Sequence, residues 1–192
     1  MIDEKNISVL AALEFNSIAK GFQALDEMIK TAPVRIIEAR TISQGKYLII
    51  FTGDVASVEY AFIKGKETSE DFIVDTLILP GVHPQVVESL GNIIEPEDWN
   101  TVGIIETKTI TSGIQAADIA AKESPVLIVE IRLANGFGGK SYVKMTGRIE
   151  DVQASMNAAV TEISKKELLC AETIIPQPHI EVKEFFVKKK EY

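Results

Sequence analysis

One feature limits the fold of this chain more than any other: it contains its own sequence twice. At an offset of 92 residues, Glu14–Arg40 falls on Glu106–Arg132, and twelve of those 27 positions are identical. The matches are Glu14/Glu106, Ile18/Ile110, Gly21/Gly113, Gln23/Gln115, Ala24/Ala116, Asp26/Asp118, Lys30/Lys122, Pro33/Pro125, Val34/Val126, Ile36/Ile128, Glu38/Glu130 and Arg40/Arg132. Two residues of slippage later, Gly45-Lys46 aligns with Gly139-Lys140 and Thr52-Gly53 with Thr146-Gly147. A further slip of two pairs Pro80 with Pro176 and His83 with His179. A tandem duplication of this kind requires two similar domains in series. The expected boundaries are residues 7–91 for the first domain, 92–100 for a linker, 101–180 for the second domain and 181–192 for a tail.

Hydrophobic periodicity sets the elements inside each copy. Val9–Leu13 and Val102–Ile105 are short apolar runs that read as strands. Ile18, Phe22, Leu25, Met28 and Ile29 then recur at helical spacing, as do Ile110, Ile114, Ala117 and Ala121. Pro33 and Pro125 stop those helices, because proline cannot continue the hydrogen-bond ladder and pushes its predecessor out of helical geometry. Val34–Ile42 and Val126–Leu133 alternate apolar and charged side chains, as half-buried strands do. Tyr47–Phe51 and Tyr142–Met145 return as the second strands of hairpins whose turns hold the Gly-Lys pairs. Helices over about 55–66 and 149–165 and strands over 72–79 and 168–175 finish the unit. The order β-α-β-β-α-β predicts an α+β chain of tandem ferredoxin-like domains, each an antiparallel sheet with helices on one face.

Composition narrows the partners. The 192 residues are 46% hydrophobic, enough to bury a core in each copy. A net charge of −8 argues against nucleic acid or an anionic membrane as partner, since both require a clustered basic face. The only basic run, Lys188-Lys189-Lys190, reads as a solvated tail. A single cysteine, Cys170, excludes an intrachain disulfide and fits a cytoplasmic protein, and its place in the last strand predicts a buried core position. No run approaches the length of a membrane span. The stretch Gly91-Asn92 to Asp98 is polar and punctuated by Gly and Pro, and Trp99 closes it by packing on a domain. Residues 180–192 have no evident counterpart in the first copy.

No catalytic set emerges. His83 and His179 follow the proline turns LPGVH and IPQPH with no cysteine or paired carboxylate at metal-ligand spacing, so neither an enzyme nor a metal site is expected. The repeated carboxylates Glu14, Glu106, Asp26 and Asp118 read as duplicated scaffolding. NGFGGKS lacks phosphate-loop spacing and sits in a hairpin instead of before a helix.

The motifs ETK, SGIQAADIAAKESPV, EIRLANGFGGKSYVKMTGRIEDV and TIIPQPH resemble the bacterial microcompartment shell domain. SIAKGFQALDEMIKTAPV, TISQGKYLIIFTGDVASV and LILPGVH form a second, more divergent copy. Together they span about residues 7–180. The tandem arrangement is similar to the trimeric class of that family, whose members form six-domain rings that tile an enzyme-filled compartment. The resemblance implies a homotrimer in a microcompartment shell, contacting other shell proteins and passing a small metabolite through an axial pore. It implies pore-lining roles for Ser43, Gln44, Gly45, Phe137, Gly138 and Gly139, and a tile-edge role for Lys30 and Lys122. Propanediol-utilisation members of the class carry a cysteine where this chain has Ser43, and three such cysteines hold an iron–sulfur cluster. Serine's hydroxyl is a far poorer iron ligand, so no cofactor is expected here. The alternative function is a soluble regulator whose tandem ferredoxin-like domains bind a small ligand.

Overall fold

The structure, a computed structural model, describes residues 7, 9–133, 136 and 138–187. The chain divides into two compact units between Pro84 and Gln85. In the first, β1 (Val9–Phe15), α1 (Ile18–Thr31), β2 (Arg35–Ile42), β3 (Lys46–Thr52), α2 (Val55–Thr68) and β4 (Ile73–Pro80) follow the expected order. The second repeats it with β5 (Thr101–Thr107), α4 (Ile110–Glu123), β6 (Leu127–Leu133), β7 (Ser141–Gly147), α5 (Ile149–Lys165) and β8 (Leu169–Pro176), preceded by α3 (Pro84–Ser89). A last helix, α6 (Ile180–Val187), follows β8.

Each sheet is antiparallel, ordered β2-β3-β1-β4 and β6-β7-β5-β8. The repeat extends to irregularities. The β2–β3 ladder slips between Ile36 and Glu38, and the β6–β7 ladder slips between Ile128 and Glu130, the same repeat positions. The β1–β4 and β5–β8 ladders slip after Glu14 and Glu106, again equivalent. Bulges re-aim side chains, so their duplication shows that the backbone path itself was copied.

Local chemistry explains the element ends. Ser17 and Thr109, one repeat apart, cap α1 and α4 by accepting from Lys20 N–H and Ser112 N–H. Asp54 caps α2 through Ser57 N–H at 2.9 Å, and the Ser57 hydroxyl, ahead of that backbone bond, holds its carboxyl below the usual range. The repeated pair Gly21/Gly113 marks close helix–sheet approach. A Cβ on Gly21 would lie 2.5–2.6 Å from Tyr47, and one on Gly113 would lie 2.4 Å from Ser141 Oγ. In the first unit, Val9, Ala11, Leu13 and Phe15 of β1 meet Ala24 and Met28 of α1, Val58 and Ala61 of α2, and Tyr47, Ile49 and Phe51 of β3.

Two expectations change. Cys170 is exposed, not core, because β8 is an edge strand and residues 170–173 all face solvent. Residues 180–187 do have a counterpart: α3 begins one residue after His83 and α6 one residue after His179. Sequence periodicity missed α3 because six residues are too few to show a helical stripe.

Candidate functional site: hairpin turns and repeat-related ion pairs

The β2–β3 hairpin turns over Ser43–Gly45 in a single 3-10 turn, between paired Ile42 and Lys46. Gln44 (φ 66°) and Gly45 (φ 71°) both occupy the left-handed region. Glycine takes that conformation freely, whereas Gln44 carries strain of about 1–2 kcal/mol. Ser43 is half-buried, and Gln44 and Gly45 are exposed at the tip. In the second unit Leu133 pairs with Ser141, so the equivalent loop is longer. Its Gly138 is exposed, Gly139 is buried, and both have positive φ. Phe137 lies outside the described residues.

The lysine of each Gly-Lys pair ties the end of the turn to the adjacent strand, β1 or β5. Lys46 Nζ sits 3.0 Å from Glu14 Oε1, and Lys140 Nζ sits 2.5 Å from Glu106 Oε1. Glu14 and Glu106, read as scaffolding, are thus half of a duplicated ion pair, visible in the sequence only as two separate repeat matches, Glu14/Glu106 and Lys46/Lys140. Burial distinguishes the copies. The side chains of Glu14 and Lys46 are 0% and 14% exposed, against 36% and 51% for Glu106 and Lys140. The hydrogen bond to Glu106, then its charge, raises the Lys140 pKa.

Lys30 and Lys122 end α1 and α4, each paired one turn back with an aspartate. Lys30 meets Asp26, whose hydrogen bond and charge raise its pKa; Lys122 meets Asp118 at 2.6 Å. Asp26 is open to solvent, while Asp118 is buried.

Sequence reasoning missed a polar cluster on the second sheet. Glu130 accepts from Arg132 (3.1 Å), the Tyr142 hydroxyl (3.0 Å) and Lys144 (3.1 Å). Burial first, then the Glu130 charge, pushes the Tyr142 phenol far up. Lys144 also donates to Phe186 O at 2.5 Å, and Trp99 packs on the Phe186 ring at 5.1 Å. The first copy has Ile50 and Leu48 in place of Lys144 and Tyr142, so the repeat gave no signal for it. His179 Nδ1 accepts from Glu181 N–H at the start of α6. Among the described residues, no three His, Cys, Asp or Glu side chains converge in a way that could hold a metal.

The BMC domain matches residues 10–82 and 101–178. The chain belongs to the BMC-domain family. It is 37% identical to the bacterial microcompartment shell protein PduT of Citrobacter freundii, over 88% of this chain and 92% of that protein. PduK, a shell protein of the same organism, is 27% identical over 41% of this chain and 49% of its own length. Among solved structures, a microcompartment protein from Desulfitobacterium hafniense DCB is 40% identical, with TM-score 0.83 over 93% of this chain and 99% of that one. The fused permuted hexameric shell protein MSM0275 from the RMM microcompartment shares the fold, at 18% identity and TM-score 0.63 over 83% and 85%. Two BMC domains and this similarity make the chain a structural shell protein and not an enzyme. No helix among the described residues is long and apolar enough to cross a membrane.

Proposed function

We propose that three copies close into a ring of six BMC domains that serves as a tile of a microcompartment shell with a central pore. The observation that carries this reading is the pair of matched domains in a single chain, together with similarity to PduT over nearly its whole length. Two quasi-equivalent domains per chain reach a closed six-domain ring with three chains. The hairpin turns line the axis: Ser43, Gln44 and Gly45 from one domain, and Phe137, Gly138 and Gly139 from the other. Hydroxyl, amide and backbone N–H groups at the first turn suit a small polar molecule or anion. Lys30 and Lys122 lie at tile edges, where other shell proteins abut.

An iron–sulfur cluster at the axis does not fit this chain. Ser43 supplies a hydroxyl where thiolate is required, and the chain's single cysteine, Cys170, is on β8 of the second unit and not in a hairpin turn. Nothing in the relatives favours the soluble ligand-binding regulator. Light scattering of the purified chain should give about three times 21.1 kDa, with flat assemblies in electron micrographs. A monomer or dimer at micromolar concentration overturns the ring.

A further inference from the structure

The two units differ on one flank. In the second, the chain after Pro84 runs along the β6 edge. The Gln85 amide donates to Val126 O at 3.2 Å and accepts from Ile128 N–H at 2.8 Å. Farther along, Gly91 N–H donates to Ile131 O and Ile94 N–H donates to Val129 O, while Leu90 and Ile93 bridge to Ile131 and Glu130. Ile128, Val129 and Ile131 of this strand are fully buried. The matching β2 residues, Ile36, Ile37 and Ala39, are only half-buried.

The neighbouring helix repeats the contrast. Phe22 and Ile29 of α1 are 55% and 51% exposed, whereas their repeat partners Ile114 and Ala121 on α4 are 0% and 9%. Phe22 leans on Tyr47 with ring centroids 4.6 Å apart, and Tyr47 pairs with Thr41 at the turn end of β2. Arg35, on that strand, has a buried Nε that makes no hydrogen bond among the described residues. Apolar surface that is closed in one copy and open in the other marks an interface.

The repeat also names what covers it. Gln85 is the second residue after His83, and the second residue after His179 is Glu181, exposed on α6. Gln85 straddles Leu127, the residue between Val126 and Ile128; the repeat partner of Leu127 is Arg35. Where one copy sets a neutral amide beside leucine, the other offers a carboxylate and a guanidinium. Helix α6 can serve both sides at once. Lys183 and Phe186 share the face that meets Asp98, Trp99 and Lys144 in its own unit. Glu181 and Phe185 (62% exposed) lie on the opposite face, as 100° per residue dictates.

We propose that the α1–β2 flank of the first unit is the docking surface for a second copy of this chain, whose α6 lies against β2 with Glu181 on Arg35. The carboxylate takes the place held by the Gln85 amide, accepting from Ile36 N–H and pairing with the guanidinium. Bidentate Arg–carboxylate geometry gives such a contact direction as well as affinity. This surface rests on the ring reading, because each of three copies then presents both halves of the clasp.

Charge reversal tests it. Arg35→Glu and Glu181→Arg should each move the concentration at which trimers dissociate up by about tenfold or more, and joining both reversals in one chain should largely restore it. Assembly as tight as the parent's in both single variants overturns the clasp while leaving the ring standing. A parent protein that is not trimeric sinks both. In a Cys170→Ser background, Arg35→Cys with Glu181→Cys should oxidise to covalent dimers and trimers on a non-reducing gel. A product that stays monomeric, although the parent is trimeric, overturns the docking mode even if the reversed variants fold poorly.

Discussion

The two copies of the Gly-Lys ion pair form an internal experiment on burial. Replacing Lys46 with Met keeps most of the aliphatic stem and removes the charge, leaving Glu14 fully enclosed without its lysine. At 3.0 Å and an effective dielectric of about 20, the gross attraction is about 5–6 kcal/mol. Desolvation of both ions cancels much of that, yet taking away one partner of a buried pair costs about 3–5 kcal/mol, because the other charge stays behind. Lys46 keeps a small window to solvent, so a loss of about 2–4 kcal/mol is expected in the first unit. Lys140→Met breaks the same pair in the second unit, where both partners are over a third exposed, and an exposed pair contributes under about 1 kcal/mol. Native-state hydrogen exchange separates the units. Amides of β1 and β3 should lose protection in Lys46→Met, and those of β5 and β7 should hardly change in Lys140→Met. Equal losses in the two variants, or a loss below about 1 kcal/mol for Lys46→Met, would refute the reasoning from burial.

Gly21→Ala should destabilise the first unit by about 1–3 kcal/mol in urea unfolding, because the new methyl meets the Tyr47 ring and β3 backbone cannot yield cheaply. Gly113→Ala should cost the second unit a similar amount, since the new methyl meets Ser141 at both Oγ and Cβ, and turning the hydroxyl aside breaks its bond to Arg132 O. Lys30→Gln with Lys122→Gln should keep the trimer but abolish flat sheets in electron micrographs; glutamine is chosen because an aspartate at 122 would face buried Asp118. Sheets that persist would sink the tile-edge role. Ser43→Cys in a Cys170→Ser background, reconstituted anaerobically with iron and sulfide, should gain a brown chromophore at one cluster per trimer, air-sensitive because one iron lacks a protein thiolate. A trimer that binds no iron and resists crosslinking at residue 43 would place that side chain away from the axis.

The repeat made the skeleton legible because backbone geometry needs particular residues at particular offsets. Gly21/Gly113 admit a strand against a helix, Ser17/Thr109 cap, and Pro33/Pro125 stop the helix before each edge strand. What escaped depends on long-range neighbours. Cys170 sits in a strand that looks apolar by sequence, yet it is exposed on β8, beyond which no strand lies among the described residues. The cluster around Glu130 joins residues from two strands, and its Lys144 also reaches α6, so no local window contains it. The Glu14–Lys46 pair spans β1 and β3, and periodicity sees each residue only within its own strand.

Duplication followed by divergence also answers why the edges of β2 and β6 should carry different chemistry. A ring built from six identical domains must use one contact six times, and any edge can meet any segment. In a tandem chain two kinds of contact alternate, and each can be tuned alone. Gln85 beside Leu127 is neutral, and the docking geometry proposed for α6 sets Glu181 beside Arg35. If a second copy displaced the chain's own Gln85 from the β6 edge and presented Glu181 there, a carboxylate would be desolvated beside Leu127 in place of the neutral amide. Arg35 would be left facing an amide. Both errors cost free energy that the correct alternation does not, so specificity comes from penalising the wrong neighbour as much as from rewarding the right one. The charged clasp would then fix the order of domains around the ring, and with it which of the two hairpin turns faces which around the axis.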